Sequence, residues 1–207
     1  VHIDDDNRRI VMFYHGHPKD GGEGPQQTFA AVSADGIHFT ASEKRYGRAY
    51  WRCFFWNGSY YAVTMSGTLY RGTELLGDYE AGPNLFRDAG FRPRHPAVKI
   101  AGSVLYLFYS IKGDAPEHIV VSRIDLRTDW KDWSVSEYES VLKPELDFEG
   151  AELPLEPSRS GAVHTRVRQL RDPGIYEEDG RTYLLYSIAG ESGLAMVRLS
   201  GFQEVWR

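Results

Sequence analysis

Two segments of this chain repeat one phrase. Arg171-Asp172-Pro173 opens a run that ends in Ile175-Tyr176, turns at Glu178-Asp179-Gly180-Arg181, and returns through Thr182-Tyr183-Leu184-Leu185-Tyr186-Ser187. Arg94-His95-Pro96 opens a second copy, with a strand from Ala97, a turn at Gly102 and a return through Tyr106-Leu107-Phe108-Tyr109-Ser110. Asp-Gly between two apolar runs is a strong hairpin signal, because both turn positions want positive φ. A repeated hairpin of this kind restricts the chain to architectures built by copying one small sheet.

The rest of the sequence supplies further copies. Arg9 to Gly16 reads as a strand after the polar turn Asp4-Asp5-Asp6-Asn7, Thr28 to Ser33 pairs with it, and Ala34 to Phe39 gives a turn and an outer strand. Arg48 to Trp56, the turn Asn57-Gly58, Tyr60 to Met65 and Thr68 to Arg71 form the next unit. The Arg94 hairpin continues into Ile119 to Ile124 and an outer strand at Trp130 to Val135. The Arg171 hairpin continues into Leu194 to Leu199, with Phe202 to Trp206 as its outer strand. Four units therefore fall at about 1–45, 46–88, 89–140 and 165–207 of a single domain, with a long segment inserted at about 136–169. Four-stranded antiparallel units repeating every ~40–50 residues indicate a β-propeller, in which stacking buries the two apolar faces of each sheet. The alternative is an ordinary sandwich, which the repeat disfavours.

Composition agrees with an all-β protein. Aromatic residues make up 14% of the 207 and many fall within strand-like runs, while helical periodicity is scarce. A formal charge of −5 with no basic stripe argues against nucleic-acid binding. Cys53 is the single cysteine, so a disulfide within the chain and a multi-cysteine zinc site are both excluded. It lies in an apolar strand, where a buried thiol is the ordinary outcome. No apolar run approaches the ~18 residues of a membrane span. No signal peptide is visible, so a cytoplasmic location is slightly favoured as an expectation, and a start at Val1 leads to the expectation of a processed product, a trimmed chain or a fragment. The three aspartates lack the closing Glu of a calcium loop. Lys19 to Pro25 is Gly-rich but lacks the Gly-Lys-Ser/Thr of a phosphate cradle.

Aligning the units on their turns brings blade starts into register. Asp172 lies eight residues before Gly180, His95 seven before Gly102, and Tyr50 eight before Gly58. The same count from Asn7 runs off the chain, so the first unit is expected to lack most of its innermost strand.

The phrase Arg171-Asp172-Pro173…Asp179-Gly180-Arg181-Thr182-Tyr183-Leu184-Leu185-Tyr186-Ser187 resembles the blades of five-bladed β-propeller glycoside hydrolases, the superfamily around families 43, 32, 62, 68 and 130. Phe13-Tyr14-His15-Gly16 and Ser33-Ala34-Asp35-Gly36-Ile37-His38-Phe39 support it. Within that superfamily the chain resembles a group of uncharacterised propeller proteins in which the block Glu149-Gly150-Ala151-Glu152-Leu153-Pro154-Leu155-Glu156-Pro157-Ser158 also appears. The resemblance implies acids at the starts of inner strands, one as base or nucleophile and another as proton donor, because a glycosidic bond breaks between two such groups. It also implies a base on a first blade that is absent here, and a supporting Asp just before Val1.

Several candidate site residues follow. Asp172 is the blade-start carboxylate, and Glu149 and Glu152 on the long segment are candidates for the proton donor. His95, Arg94, Arg171, Arg48, Tyr50 and Glu156 are candidates for binding a sugar. Each has a plain structural alternative: an ion pair or turn cap for Asp172, a bonded structural His95, solvated loop carboxylates, and core packing for Trp51. His15 and His17 share a strand face, but two histidines without a third ligand do not make a metal site. No cofactor or metal is expected.

Two functional readings emerge. One is a glycoside hydrolase-like protein that acts on or binds a saccharide in the central propeller cavity, including the case of an inactive fragment. The other is a non-catalytic glycan-binding or oligomer-forming module. An incomplete propeller leaves open blade edges, which suit a homo-oligomer.

Overall fold

A computed structural model describes residues 1–18 and 24–202. The chain forms two compact units, Val1–Gly82 and Pro83–Arg207. Strands dominate both, arranged as four antiparallel blade-like sheets.

The first unit begins with β1 (His2–Asp4), β2 (Arg9–Gly16), β3 (Gln27–Ser33), β4 (Thr40–Ala41) and β5 (Gly47–Arg48). The sheet runs β1-β2-β3-β4, and β5 also pairs with β3. Its innermost strand is only three residues long. The second sheet runs in order through β6 (Arg52–Trp56), β7 (Ser59–Val63), β8 (Thr68–Gly72) and β9 (Tyr79–Asn84). Aromatic side chains fill the core of this unit. Trp51 packs on Tyr70 with ring centroids 4.8 Å apart, and Phe13 meets Tyr46 edge-on at 5.3 Å. Gly47 permits this packing, since a Cβ there would lie 2.9 Å from both the Trp51 and Tyr70 rings.

The second unit contains the sheet β10 (Pro93–Ala101), β11 (Val104–Ile111), β12 (Ile119–Asp125) and β13 (Glu139–Leu142). The last sheet is β14 (Arg171–Glu178), β15 (Arg181–Ile188) and β16 (Gly193–Leu199). Every residue of β11 is buried. Ala97, Tyr106, Phe108 and Ile119 of one blade share a core with Leu184 and Tyr186 of the other, and Leu170 closes it.

The expected hairpin turns are present. Asn57 and Gly58 have φ of 43° and 76°, and Asp179 and Gly180 have 50° and 69°. Two successive positive φ values match the right-handed twist of the flanking strands. Two expected strands take another form. Trp130–Asp132 is a turn of 3-10 helix rather than a strand, because the Asp129 carboxylate accepts the Lys131 N–H at 2.9 Å and closes the chain locally. Ile37 and His38 form a bend on the Asp35 carboxylate, which accepts both backbone N–H groups, so the outer strand starts only at Thr40. The long segment is ordered without being regular. Ser158 anchors it, donating its backbone N–H to the Asp114 carbonyl and accepting from the Gly113 N–H. Lys19 to Glu23 of the Gly-rich loop, and all of the Phe202–Trp206 strand beyond Phe202, lie outside the described residues.

Candidate functional site

The repeated blade start has a defined shape. Pairing of β10 with β11 slips between Arg94 and Ala97, and pairing of β14 with β15 slips between Arg171 and Gly174. Each slip is a β-bulge, and each contains a proline, which has no N–H to give to a ladder. Within the bulges His95 has φ 45° and Asp172 has φ 52°. Tyr50, aligned with them by spacing, has φ 63° before β6. This left-handed region costs an L-residue roughly 1–2 kcal/mol, and His and Asp adopt it more readily than most residues. The bulge turns both side chains out of the normal alternation and brings them together.

The His95 imidazole Nδ1 meets the Asp172 Oδ1 directly. Ser187 Oγ donates to Asp172 Oδ2 at 3.0 Å. His95 is buried, whereas the Asp172 side chain keeps 33% of its surface exposed. Asp172 is therefore a carboxylate fixed by two neighbours and still open to solvent on one side. That arrangement suits an acceptor for ligand hydroxyls.

The arginines one residue earlier point into the protein. Arg94 Nη1 lies 3.3 Å from Glu117 Oε2 and donates to the Arg159 carbonyl at 2.9 Å. Arg171 is fully buried; its Nε lies 3.3 Å from the same Glu117 oxygen. Arg171 also donates to Gln169 Oε1 through Nε at 3.0 Å and Nη2 at 2.5 Å, and to Glu191 Oε1 at 3.1 Å. Both guanidiniums reach the Gly161 carbonyl at 3.4 Å. Ser110 Oγ donates to Glu117 Oε1 at 2.5 Å. The guanidiniums of both arginines thus bond to protein groups.

Three acids of the long segment have different positions. Glu149 is buried; Oε1 accepts the Tyr186 hydroxyl at 2.8 Å, and Oε2 accepts the backbone N–H groups of Glu145 and Leu146 at 2.9 and 3.1 Å. Burial, followed by the bond to Glu149, pushes the Tyr186 hydroxyl above the ordinary tyrosine range. Adjacent residues of a strand face opposite ways. Glu149 therefore bonds one face of β15 through Tyr186, and Asp172 bonds the other through Ser187. Glu152 and Glu156 are exposed.

In the first unit, the Tyr50 ring lies 4.1 Å from the His15 ring, and Arg48 is exposed. Burial, with the Arg52 charge second, holds His15 below the usual histidine range. Trp51 belongs to the core. Among the described residues no three His, Cys, Asp or Glu side chains gather in a metal-binding cluster. Among the described residues no helix is long and apolar enough to cross a membrane.

Sequence reasoning picked out Asp172, His95, Arg94 and Arg171 but missed the serines and Glu117. The serines had a signal: Ser110 and Ser187 close the same Tyr-x-x-Tyr-Ser strand in the two copies. Glu117 and Glu191 follow those strands in equivalent loops, before β12 and β16, but at unequal distances, so spacing alone does not align them.

No family model matches the chain. It is 33% identical over 219 aligned positions to an uncharacterized protein of Acanthamoeba polyphaga mimivirus, covering 96% of this chain and 60% of the relative. The chain thus spans about 60% of the length of the curated relative it matches. Among solved structures, it is similar to a thermostable family-43 glycoside hydrolase, with a TM-score of 0.62 and 15% identity over 96% of this chain and 70% of that one. It is also similar to a GH32 β-fructofuranosidase of Bombyx mori (TM-score 0.61, 14% identity, 90% and 42% covered). An α-L-arabinanase of Cellvibrio cellulosa, solved with arabinohexaose, gives a TM-score of 0.56 at 14% identity, with 96% and 72% covered. The fold is that of the β-propeller glycoside hydrolases.

Proposed function

We propose that this chain is a carbohydrate-active propeller protein that binds a saccharide at the Asp172–His95 pair. The observation that carries this reading is the Asp172 carboxylate, pinned by Ser187 and His95 yet one-third exposed at a blade start. A sugar presents vicinal hydroxyls, and a fixed carboxylate accepts them through charge-assisted bonds. The likeness of the fold to glycoside hydrolases supports the same class of ligand, although a fold alone does not fix an activity.

Hydrolysis needs a second carboxyl group roughly 5–9.5 Å from the first. Glu149 would have to give up three hydrogen bonds to supply it. Glu152 and Glu156 are exposed on the segment before β14. Saturation-transfer NMR across a panel of pentose, hexose and uronic acid oligosaccharides tests the binding. Wild-type protein is expected to give transfer from at least one class, and Asp172→Asn to lose it. A panel with no transfer at millimolar ligand sinks the reading.

A second reading, homo-oligomer formation, is favoured by one face of the last sheet. Tyr176, Leu194 and Met196 are 47%, 77% and 57% exposed. Cross-strand pairing places Leu185 beside Met196 and Tyr183 beside Tyr176 on that face. Light scattering after gel filtration should then give twice the chain mass; a monomer at about 100 µM, where a dimer of micromolar Kd would be mostly assembled, refutes it.

A further inference from the structure

We infer that Glu117, buried and distant in sequence from both blade starts, is the positioning residue that sets His95 against Asp172. The inference rests on the saccharide-site reading only for its consequence, since the geometry itself involves no ligand. Glu117 has no exposed surface, and one of its oxygens, Oε2, sits 3.3 Å from Arg94 Nη1 and 3.3 Å from Arg171 Nε. Each arginine is one peptide bond from a left-handed residue, Arg94 from His95 and Arg171 from Asp172. A single carboxylate oxygen therefore fixes the separation of two neighbouring blade starts. The Gly161 carbonyl repeats the link, accepting from both guanidiniums at 3.4 Å. The Glu117 backbone carbonyl adds a third tie by accepting the Leu170 N–H at 2.9 Å.

Glu117 also balances charge. Two guanidiniums in a dry interior need counter-charges, and Glu117 and Glu191 are the carboxylates ion-paired with them. Ser110 orients Glu117 by donating to Oε1 at 2.5 Å, leaving Oε2 to the arginines. Without the shared oxygen, the two arginines repel, the blade starts separate, and the His95–Asp172 contact opens.

The test is a double difference in the His95 pKa, read by long-range proton–nitrogen NMR on the intact chain. In the parent protein Asp172→Asn should lower the His95 pKa by about 1 pH unit or more, because a nearby carboxylate favours the imidazolium. In a Glu117→Gln background the same Asp172→Asn change should move it by less than half as much. Glu117→Asp, which keeps the charge, should restore part of the difference. If Glu117 is merely structural, Glu117→Gln lowers the melting temperature while the Asp172→Asn effect persists in full, and the inference is overturned. Should Glu117→Gln fail to fold, Ser110→Ala carries the test: it keeps the charge, frees Oε1, and should shrink the Asp172→Asn effect, whereas an undiminished effect refutes the inference. None of these readouts needs a saccharide. Loss of coupling without any sugar binding would therefore leave Glu117 as the positioning residue while removing the proposed function.

Discussion

Replacing Arg171 with Met tests the buried network beneath the pair. Arg171 has no exposed surface, and its guanidinium bonds to Gln169, Glu191 and Gly161 while facing Glu117. Methionine fills part of the space but strands the Gln169 acceptor, returns the exposed Glu191 to solvent, and leaves Glu117 with Arg94 and Ser110. Removing one partner of a buried ion pair costs about 3–5 kcal/mol. For a chain of 207 residues, each kcal/mol lowers the melting temperature by about 2–4 °C. Arg171→Met should therefore lower it by roughly 6–20 °C in scanning calorimetry at pH 7. Arg127→Met is the control, because Arg127 pairs with Asp125 in solvent, and its melting temperature should be unchanged. The triple change Arg94→Met, Glu117→Leu, Arg171→Met should cost less than the sum of the three single changes, since no orphaned charge remains among the three positions. A fall of less than about 3 °C for Arg171→Met would refute the account of the network.

Two further predictions concern the buried Glu149 and the half-buried Cys53. Glu149→Gln leaves one amide oxygen where two carboxylate oxygens accept three hydrogen bonds; chemical denaturation should show a loss of about 1–3 kcal/mol, and an unchanged midpoint would contradict the assigned role. Burial pushes the Cys53 thiol up to about 12, so native protein should resist iodoacetamide at pH 8 while urea-unfolded protein reacts fully, as read by mass spectrometry. The sign is that of a neutral form favoured by folding: the contribution is whole below the unfolded thiol value near 9 and is lost as pH rises from there to about 12. Cys53→Ser should flatten that part of the alkaline stability curve.

The parts of the fold that local chemistry dictates are legible in the sequence. Asn57-Gly58 and Asp179-Gly180 adopt the positive φ pairs their residue types demand. The alignment of Tyr50, His95 and Asp172 by counting from the turns corresponds to three left-handed backbone positions. Where a side chain competes with the ladder, the pattern misleads. Trp130 is apolar enough for a strand, but the Asp129 cap makes a 3-10 turn. The role of Arg94 and Arg171 was also hidden. An arginine beside an acid reads as a ligand-facing residue, and only the three-dimensional position of Glu117 shows both guanidiniums within 3.3 Å of one buried oxygen.

Isothermal titration with the tightest saccharide of the panel is the most direct test of the site. The account predicts that Asp172→Asn weakens binding about 10-fold or more, the worth of a charge-assisted hydrogen bond, and that Ser187→Ala weakens it less. Equal Kd values for the parent protein and Asp172→Asn would contradict it.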